Sequence, residues 1–314
     1  MSFETTIISI IVMIFIGVLL KKLNILKTED NETLNKIVVN IGLPCMIFNA
    51  LYTANVSLLP DLSILTVFIL ICSLIIGVII YLILKFLGYD NKALWSILVV
   101  VVLGNTGFLG YPISQGIFGA EGLVRAAFCD LATSIIFIAV SIILIMIFDG
   151  EIKTAIKKIV TFMPLWGIIL GILLNVFSIP IGEFGSSIVN YLGGSTVPLI
   201  MISLGLSLNL RGFKRHFKEV SLASIIKLIV YPLLAICILS ILGIAGFEYK
   251  IGLLEAMMPS AMLALILSLQ FKLDSDLTSD CIFTDTLLSL ISIPVFFPSL
   301  GTIYSLIVFS SLLS

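Results

Sequence analysis

The sequence predicts an all-α polytopic membrane protein, and two features of its 314 residues support this fold class. Apolar residues make up 60% of the chain and charged residues only 11%, about half of the ~25% that is usual in a soluble domain. Uncharged runs from Lys36 to Asp61 and from Lys158 to Glu183 exceed the roughly 20 residues that a helix needs to cross a bilayer. The chain therefore has too few charges for a water-facing surface.

Charges and turn residues divide the chain into ten apolar segments, which we interpret as ten transmembrane helices. The segments cover about residues 5–20, 37–59, 62–84, 93–118, 123–148, 159–180, 185–209, 219–243, 249–271 and 280–304. The 17 basic residues divide into 14 at one end of the predicted bundle, Arg125 and Lys250 at the other end, and Lys227 inside a span. Since basic residues are retained in the cytoplasm, we expect a multi-pass protein of the inner (cytoplasmic) membrane with both termini extracytoplasmic.

The second half of the chain repeats features of the first half at a nearly constant offset. Pro44 matches Pro198 at 154 residues, and Asp130 matches Asp285 at 155 residues. We predict a first five-helix repeat over residues 1–148, a short cytoplasmic linker over 149–158 and a second five-helix repeat over 159–314. An odd number of spans inverts one repeat relative to the other, as in many secondary transporters. The alternative is coincidence in a sequence with few residue types.

Helices four and nine are predicted to be broken inside the membrane. Three glycines at a spacing of three precede Pro112, whose ring collides with the carbonyl of Phe108, and glycine lowers the cost of leaving helical torsions. In helix nine, Pro259 removes the hydrogen-bond donor for the carbonyl of Glu255. Freed backbone groups cost several kcal/mol in hydrocarbon unless protein or a wet cavity surrounds them, so paired breaks predict an internal site. For helix four, the alternative is a glycine face for close helix packing.

The expected ligand of such a site is an anion. Half-helix N-termini have a partial positive charge and unpaired N–H groups, which suit a carboxylate. The wide spacing of the five cysteines and the single His216 favour neither a metal site nor a disulfide framework, and no cofactor is expected. The chain has no basic block that would bind nucleic acid.

Four ionisable side chains lie inside predicted spans, where each costs at least ~2.5–3.5 kcal/mol: Asp130, Asp285, Lys227 and Glu255. Both aspartates are candidates for proton uptake, and Glu255 is a candidate proton carrier. Lys227 either extends to the interface or pairs with Glu255 or a bound anion. The alternative for the aspartates is a structural role, bonded to adjacent hydroxyls: Thr133 and Ser134, or Thr284 and Thr286.

Several motifs resemble the auxin efflux carrier family of membrane transporters, whose bacterial members include proteins named as malate permeases. The matching segments are LPCMIF at 43–48, NTGFLGYP at 105–112, MPSA at 258–261, and Lys227 with Pro232. The resemblance covers essentially the whole chain. It implies ten helices in two inverted five-helix repeats, with broken helices four and nine crossing each other in a transport part beside a scaffold part.

By the same resemblance, the residues of the two interruptions would bind the substrate: Asn105, Thr106, Gly107, Gly110, Pro112, Met258, Pro259 and Ser260. Many relatives carry a polar residue shortly after the second proline, whereas Met262 and Leu263 follow it here. This departure leaves the polarity of the site, and the identity of the substrate, open.

We therefore expect a secondary active or facilitative transporter of a small organic anion, such as malate or an auxin-like carboxylate, working by alternating access. The sequence does not decide whether transport is coupled to a proton or a sodium ion or proceeds as uniport. It also leaves open whether the protein forms a homodimer in the bilayer. One alternative is a sodium- or proton-coupled carrier of another solute on a related inverted-repeat fold. A remote alternative is an intramembrane aspartyl protease, but the YD and GxGD motifs of those enzymes are absent around Asp130 and Asp285. We expect no enzyme, and no GxxxxGK[ST] loop indicates ATP-driven pumping.

Overall fold

A computed structural model describes residues 3–27, 29–148, 161–207 and 216–311 of the chain. Regular secondary structure in these ranges is helical, apart from an isolated β-bridge, in agreement with the predicted all-α class. The predicted linker 149–158 lies outside the described residues. The α-helices are α1 (Phe3–Lys22), α2 (Asp30–Ile37), α3 (Leu43–Tyr52), α4 (Leu59–Phe86), α5 (Asn91–Val102), α6 (Tyr111–Ile147), α7 (Met163–Val176), α8 (Gly182–Gly194), α9 (Thr196–Ser207), α10 (Phe217–Ile225), α11 (Tyr231–Ile241), α12 (Gly246–Ala256), α13 (Met262–Gln270) and α14 (Ser275–Ser311).

Seven helical stretches of the described chain are long and apolar enough to cross a membrane. They are Thr5–Lys22, Asp30–Tyr52, Asp61–Phe86, Thr106–Ile147, Gly182–Ser207, Phe217–Ile241 and Ser275–Ser299. Two shorter apolar helices, α5 and α7, add to this set. The apolar character that the composition predicts is therefore organised as a series of membrane-length helices.

The stretch Thr106–Ile147 is too long for one crossing. Its 42 residues would extend about 63 Å as a straight helix, twice the ~30 Å of the bilayer core. Gly119 divides it, because its backbone torsions (φ 69°, ψ −157°) are those that glycine alone adopts without strain. The stretch therefore consists of two helical segments, which correspond to the end of predicted span four and to predicted span five.

Three helices begin with an X-Pro pair that directly follows a π-helical turn. The π turns are Val38–Gly42 before α3, Thr106–Gly110 before α6, and Ile226–Val230 before α11. In the first, the N–H of Leu43 donates to the carbonyl of Val38, five residues back. A proline cannot donate to the carbonyl four residues back and its ring pushes that carbonyl away, so the preceding turn widens instead of breaking.

The chain forms two compact units. Unit 1 comprises Met1–Ser63, Gly107–Leu131 and Glu151–Asn209, and unit 2 comprises Ile64–Thr106, Ala132–Gly150 and Leu210–Ser314. Each unit takes segments from both predicted repeats, so the spatial units and the sequence repeats are different divisions of the chain. The duplication stays a prediction from the sequence.

Glycines bring helices of unit 1 into close contact. A Cβ on Gly205 of α9 would lie 2.8 Å from the Cα of Gly17 in α1 and would also meet the carbonyl of Ile14. In α7, a Cβ on Gly167 would lie 2.6 Å from the carbonyl oxygen of Pro44 in α3. Small residues allow such backbone approach between membrane helices, where packing replaces the hydrophobic effect as the source of association.

Gly205→Ala is expected to destabilise unit 1, since the new methyl group meets backbone atoms that cannot rotate away. We expect a loss of about 1–3 kcal/mol, measured as a lower thermal unfolding temperature of the purified protein in detergent. The matched control is Gly194→Ala, because Gly194 ends α8 with open space around its Cβ position. Equal unfolding temperatures for the two variants would contradict this interpretation of the α1–α9 contact.

Candidate functional site

Unit 2 contains two interruptions, in the regions where helices four and nine were predicted to break. Helix α5 ends at Val102, and α12 ends at Ala256 before α13 begins. These helices have 12, 11 and 9 residues, and therefore lengths of about 18, 17 and 14 Å. None of the three reaches across the ~30 Å core of a bilayer by itself.

The two interruptions bind each other through their backbones. The N–H of Asn105 donates to the carbonyl of Pro259 at 2.7 Å, and the N–H of Ala261 donates to the carbonyl of Leu103 at 3.0 Å. Between these bonds, Gly104 and Ser260 form an antiparallel bridge. We call residues 103–105 and 259–261 together the crossing. It pairs backbone groups that the helices cannot pair, which is a condition for non-helical backbone inside a membrane protein.

The break in helix four lies upstream of the predicted position. The non-helical residues are 103–105, and Pro112 is the second residue of α6, where a missing N–H is tolerated. The π turn before α6 accommodates the proline ring, which is why Pro112 does not open the helix. In helix nine, the carbonyl of Glu255 accepts a hydrogen bond from the N–H of Met258 at 3.2 Å, so the expectation that it lacks a donor was wrong.

Lys227 is buried beside the crossing, with 1% of its surface exposed. Its Nζ donates to the carbonyl of Val101 at 3.0 Å and lies 4.4 Å from the ring centroid of Tyr231. The Val101 carbonyl belongs to the last turn of α5, where no intrahelical donor is available and the helix dipole is negative. Lys227 therefore caps a half-helix from the protein interior, and the alternative that it extends to the interface was wrong.

Asp285 connects the crossing with the helix that carries Lys227. Ser224 Oγ donates to Asp285 Oδ1 at 2.5 Å, and Ser260 Oγ of the crossing donates to Oδ2. Asp285 is fully buried, and its charge and that of Lys227 attract each other. The hydroxyl partners come from other helices. The expected structural alternative, bonding to the adjacent Thr284 and Thr286, is not the arrangement observed.

Asp130 belongs to unit 1, where Tyr111 is its partner. Tyr111 Oη donates to Asp130 Oδ2 at 2.8 Å, and a Cβ on Gly107 would lie 3.3 Å from Asp130 Oδ1. Thr133, proposed from the sequence as a partner of Asp130, accepts a hydrogen bond from Thr106 at 3.0 Å within unit 2. The two sequence-matched aspartates are thus both buried, but their described partners differ.

The predicted site residues separate between the two units. Those brought to the crossing or next to it are Asn105, Thr106, Pro259, Ser260, Lys227 and Asp285. Met258 and Glu255 are buried at the end of α12, while Gly107, Gly110, Pro112 and Asp130 belong to unit 1.

Sequence reasoning missed Ser224, Tyr231 and Tyr111. Ser224 precedes Lys227 by three residues and Tyr231 follows it by four, so helical spacing alone places all three on one face. Tyr111 lies inside the recognised span-four motif, but its hydroxyl group was not assigned a role. Within the described residues, no group of three or more His, Cys, Asp or Glu side chains is arranged to hold a metal ion.

A family model described as "Membrane transport protein" matches residues 2–297, nearly the whole chain. The chain belongs to this family, the auxin efflux carrier family. An uncharacterized transporter of Methanothermobacter thermautotrophicus is 42% identical over 295 residues, which cover 94% of this chain and 97% of that protein. An uncharacterized transporter of Methanocaldococcus jannaschii is 38% identical over 294 residues, which cover 90% and 94%. The resemblance found in the motifs is confirmed, and the chain is a multi-pass membrane transporter.

We expect the buried pair Lys227 and Asp285 to be energetically coupled. Lys227→Met leaves the Val101 carbonyl without its donor and Asp285 without a nearby positive charge, at a cost of about 3–5 kcal/mol in thermal or denaturant unfolding. Lys227→Met/Asp285→Asn is expected to lose less than the sum of the two single variants, because neither charge is then left alone.

The control for this cycle is Lys250→Met, which removes an exposed lysine of α12 and is expected to leave stability unchanged within about 0.5 kcal/mol. Strictly additive losses in the double variant would contradict the coupling of Lys227 and Asp285.

Proposed function

We propose that this transporter carries a small organic anion and binds it at the crossing. The main support is the contact between the two interruptions, because it gathers half-helix ends, a buried lysine and hydroxyl groups in the interior of unit 2. Substrates that fit this chemistry are dicarboxylates such as malate, or an auxin-like carboxylate. Transport would be secondary active or facilitative, by alternating access.

The N-terminus of α13 favours a negative ligand. Its N-cap residue, Ala261, has an extended backbone and offers no side-chain acceptor to the first turn. The positive end of the half-helix and its N–H groups therefore face the crossing without a capping side chain, which suits a carboxylate. Because Met262 and Leu263 are apolar, polar side-chain contacts to the substrate would come from Asn105, Thr106 and Ser260.

Lys227 would provide the positive charge for the substrate. It lies next to the crossing, since a Cβ on Gly104 would be 3.5 Å from its Nζ. The carboxylate of Asp285 attracts the charge of Lys227. Protonation of Asp285 would leave Lys227 with an unbalanced positive charge and so favour anion binding, which is a route to proton coupling. Glu255 is a further proposed coupling residue, and Met258 and Pro259 complete the proposed binding segments of unit 2. Asp130 for coupling, and Gly107, Gly110 and Pro112 for binding, belong to unit 1 and stay predictions from the sequence.

The proposed membrane topology has ten crossings in two inverted five-helix repeats. The seven long stretches, the division of Thr106–Ile147 at Gly119 and the short helices α5, α7, α12 and α13 support this count. Both termini would then be extracytoplasmic, and the chain would lie in the cytoplasmic membrane.

Reporter fusions test this topology. Alkaline phosphatase, which folds only outside the cytoplasm, is expected to be active when fused after Ser314 and inactive when inserted at Gly88, between α4 and α5. Green fluorescent protein at the same two positions is the control and should give the reverse pattern. An inactive phosphatase at Ser314 would exclude an even number of crossings with outside termini.

Uptake into proteoliposomes tests the proposed function. Purified protein is expected to transport at least one labelled carboxylate from a panel of mono- and dicarboxylates, and not the neutral amide of the same compound. Lys227→Gln should reduce this uptake roughly tenfold to hundredfold, since a charge-assisted hydrogen bond to the ligand is lost. Lys250→Gln is the control and should leave uptake unchanged. Transport of a neutral or cationic solute without any carboxylate would overturn the proposal.

The same vesicles distinguish the coupling alternatives. If a proton is coupled, an imposed pH gradient changes the uptake rate of the wild type, and Asp130→Asn/Glu255→Gln/Asp285→Asn abolishes that response. Asp61→Asn, which changes an exposed carboxylate, should keep it. Uptake that follows a sodium gradient would favour the related sodium-coupled carrier, and indifference to both gradients would favour uniport.

A further inference from the structure

Unit 2 contains a cavity of about 540 Å³ between α4, α5 and the second half of α6. This volume lies within the roughly 300–1,000 Å³ that is typical of small-molecule sites. Its wall is made mostly of aliphatic side chains, and the other lining residues are Ser73, Gly77, Tyr81 and Trp95. Asn105, Ser260, Lys227 and the other residues proposed for the substrate are not part of this wall.

The cavity extends from the outer surface of unit 2 to its interior. Leu74, Ile135 and Ile143 line it and are exposed, which in a membrane protein places them toward lipid chains. Val102 and Ser73 line it as well and are buried. An apolar chain entering from the bilayer would therefore fill a mostly aliphatic cavity, and the hydroxyl group of Ser73 in its wall already has hydrogen-bond partners in the protein.

Aromatic and basic residues lie together at one end of the cavity. The rings of Tyr81 and Trp95 both line it and are 6.0 Å apart. Lys85 is exposed, with its Nζ 5.6 Å from the Tyr81 centroid, and the exposed Lys92 precedes Trp95 by one helical turn. Asp90 is nearby, but its carboxylate accepts the N–H groups of Lys92 and Ala93 as the N-cap of α5.

This arrangement is that of a membrane interface, where tyrosine and tryptophan lie at headgroup level and lysines attract anionic headgroups. We propose that unit 2 binds one anionic lipid of the surrounding bilayer, with an acyl chain in the cavity and its headgroup at Lys85 and Lys92. The aliphatic wall of the cavity favours an acyl chain, and the two lysines favour a negatively charged headgroup. The site is separate from the proposed anion site, and its test does not require transport.

The bound chain would lie against residues that support the crossing. Ser73 Oγ donates to the carbonyl of Val102 at 3.2 Å and hydrogen bonds with Tyr231 Oη at 2.7 Å. Val102 is the last residue of α5, and the Tyr231 ring lies beneath Nζ of Lys227. Filling the cavity would therefore hold the end of α5 and Tyr231 in the positions described above.

Fluorescence quenching tests the lipid site, because Trp95 lines the cavity and Trp166 is the only other tryptophan. The Trp166→Phe protein would be placed in vesicles of unlabelled phosphatidylcholine that contain brominated phosphatidylglycerol or brominated phosphatidylcholine as a minor component. We expect stronger quenching of Trp95 by the brominated anionic lipid. In this background, Lys85→Gln/Lys92→Gln should weaken its apparent affinity roughly fivefold for each lysine removed.

Two further variants test the acyl-chain site in the cavity separately from the headgroup site at Lys85 and Lys92. Ala139→Phe fills the cavity and should remove the quenching by both lipids, whereas Ile142→Phe, on the same helix but outside the wall, should not. For the lysines, Lys22→Gln/Lys27→Gln is the matched control, since it removes two exposed lysines of unit 1. Thermal unfolding shows whether each variant is folded. If Ala139→Phe does not fold, the lysine variants still test the proposal, because they change only surface residues.

Equal quenching by the two brominated lipids, or quenching that is insensitive to Lys85 and Lys92, would overturn the proposal. So would an absence of quenching by either lipid. If a transported carboxylate abolished the quenching while the lysine variants had no effect, the cavity would belong to the substrate, and the lipid assignment would be wrong.

Discussion

The hydrocarbon core of a bilayer offers no hydrogen bonds, so every backbone group at that depth needs a partner from the protein. Helices satisfy this condition by themselves, and an interrupted helix does not. In unit 2, two interruptions satisfy it jointly, since Asn105 donates to Pro259 and Ala261 donates to Leu103. Each gap thereby receives from the other gap hydrogen-bond partners that its own helix does not supply. The polar side chains around the crossing depend on this pairing for their positions.

The charges near the crossing follow from the same constraint. Ending α5 at Val102 leaves carbonyl groups that need donors, and Lys227 supplies one to Val101. A buried lysine in turn requires a nearby negative charge, which Asp285 provides while Ser224 and Ser260 hydrogen bond to its carboxylate. The proposed anion would therefore meet a lysine whose charge Asp285 already attracts.

Much of this organisation could be predicted from residue types and spacing. Composition predicted the membrane fold, and the glycines before Pro112 together with Pro259 predicted two interrupted helices. The exact position of the first break could not be predicted, because X-Pro pairs at Pro44, Pro112 and Pro232 all produce π turns, and a sequence rule for proline does not distinguish a wide turn from a gap.

The partners of the buried charges were less accessible to sequence reasoning. The sequence shows how deep a residue lies along its span, but it does not show which residue of another helix it contacts. The sequence therefore allows two interpretations of Lys227, and the structure shows that it binds the carbonyl of Val101. The spacing of three residues places Ser224 on the helix face of Lys227, but it does not show that Ser224 binds Asp285 on another helix. The apolar cavity of unit 2 could not be predicted from the sequence, because aliphatic residues line cavities and lipid-facing helix surfaces alike.

Hydrogen exchange of individual backbone amides tests the central claim most directly. Asn105 and Ala261 lie outside helices, yet their N–H groups are bonded across the crossing, so we predict protection comparable to that of buried helical amides such as Leu98. The amides of the solvent-exposed turn after α4, such as that of Gly88, are bonded only to the last turn of α4 and provide the weakly protected loop reference in the same protein. Exchange of Asn105 and Ala261 as fast as these loop amides would contradict the pairing of the two interruptions.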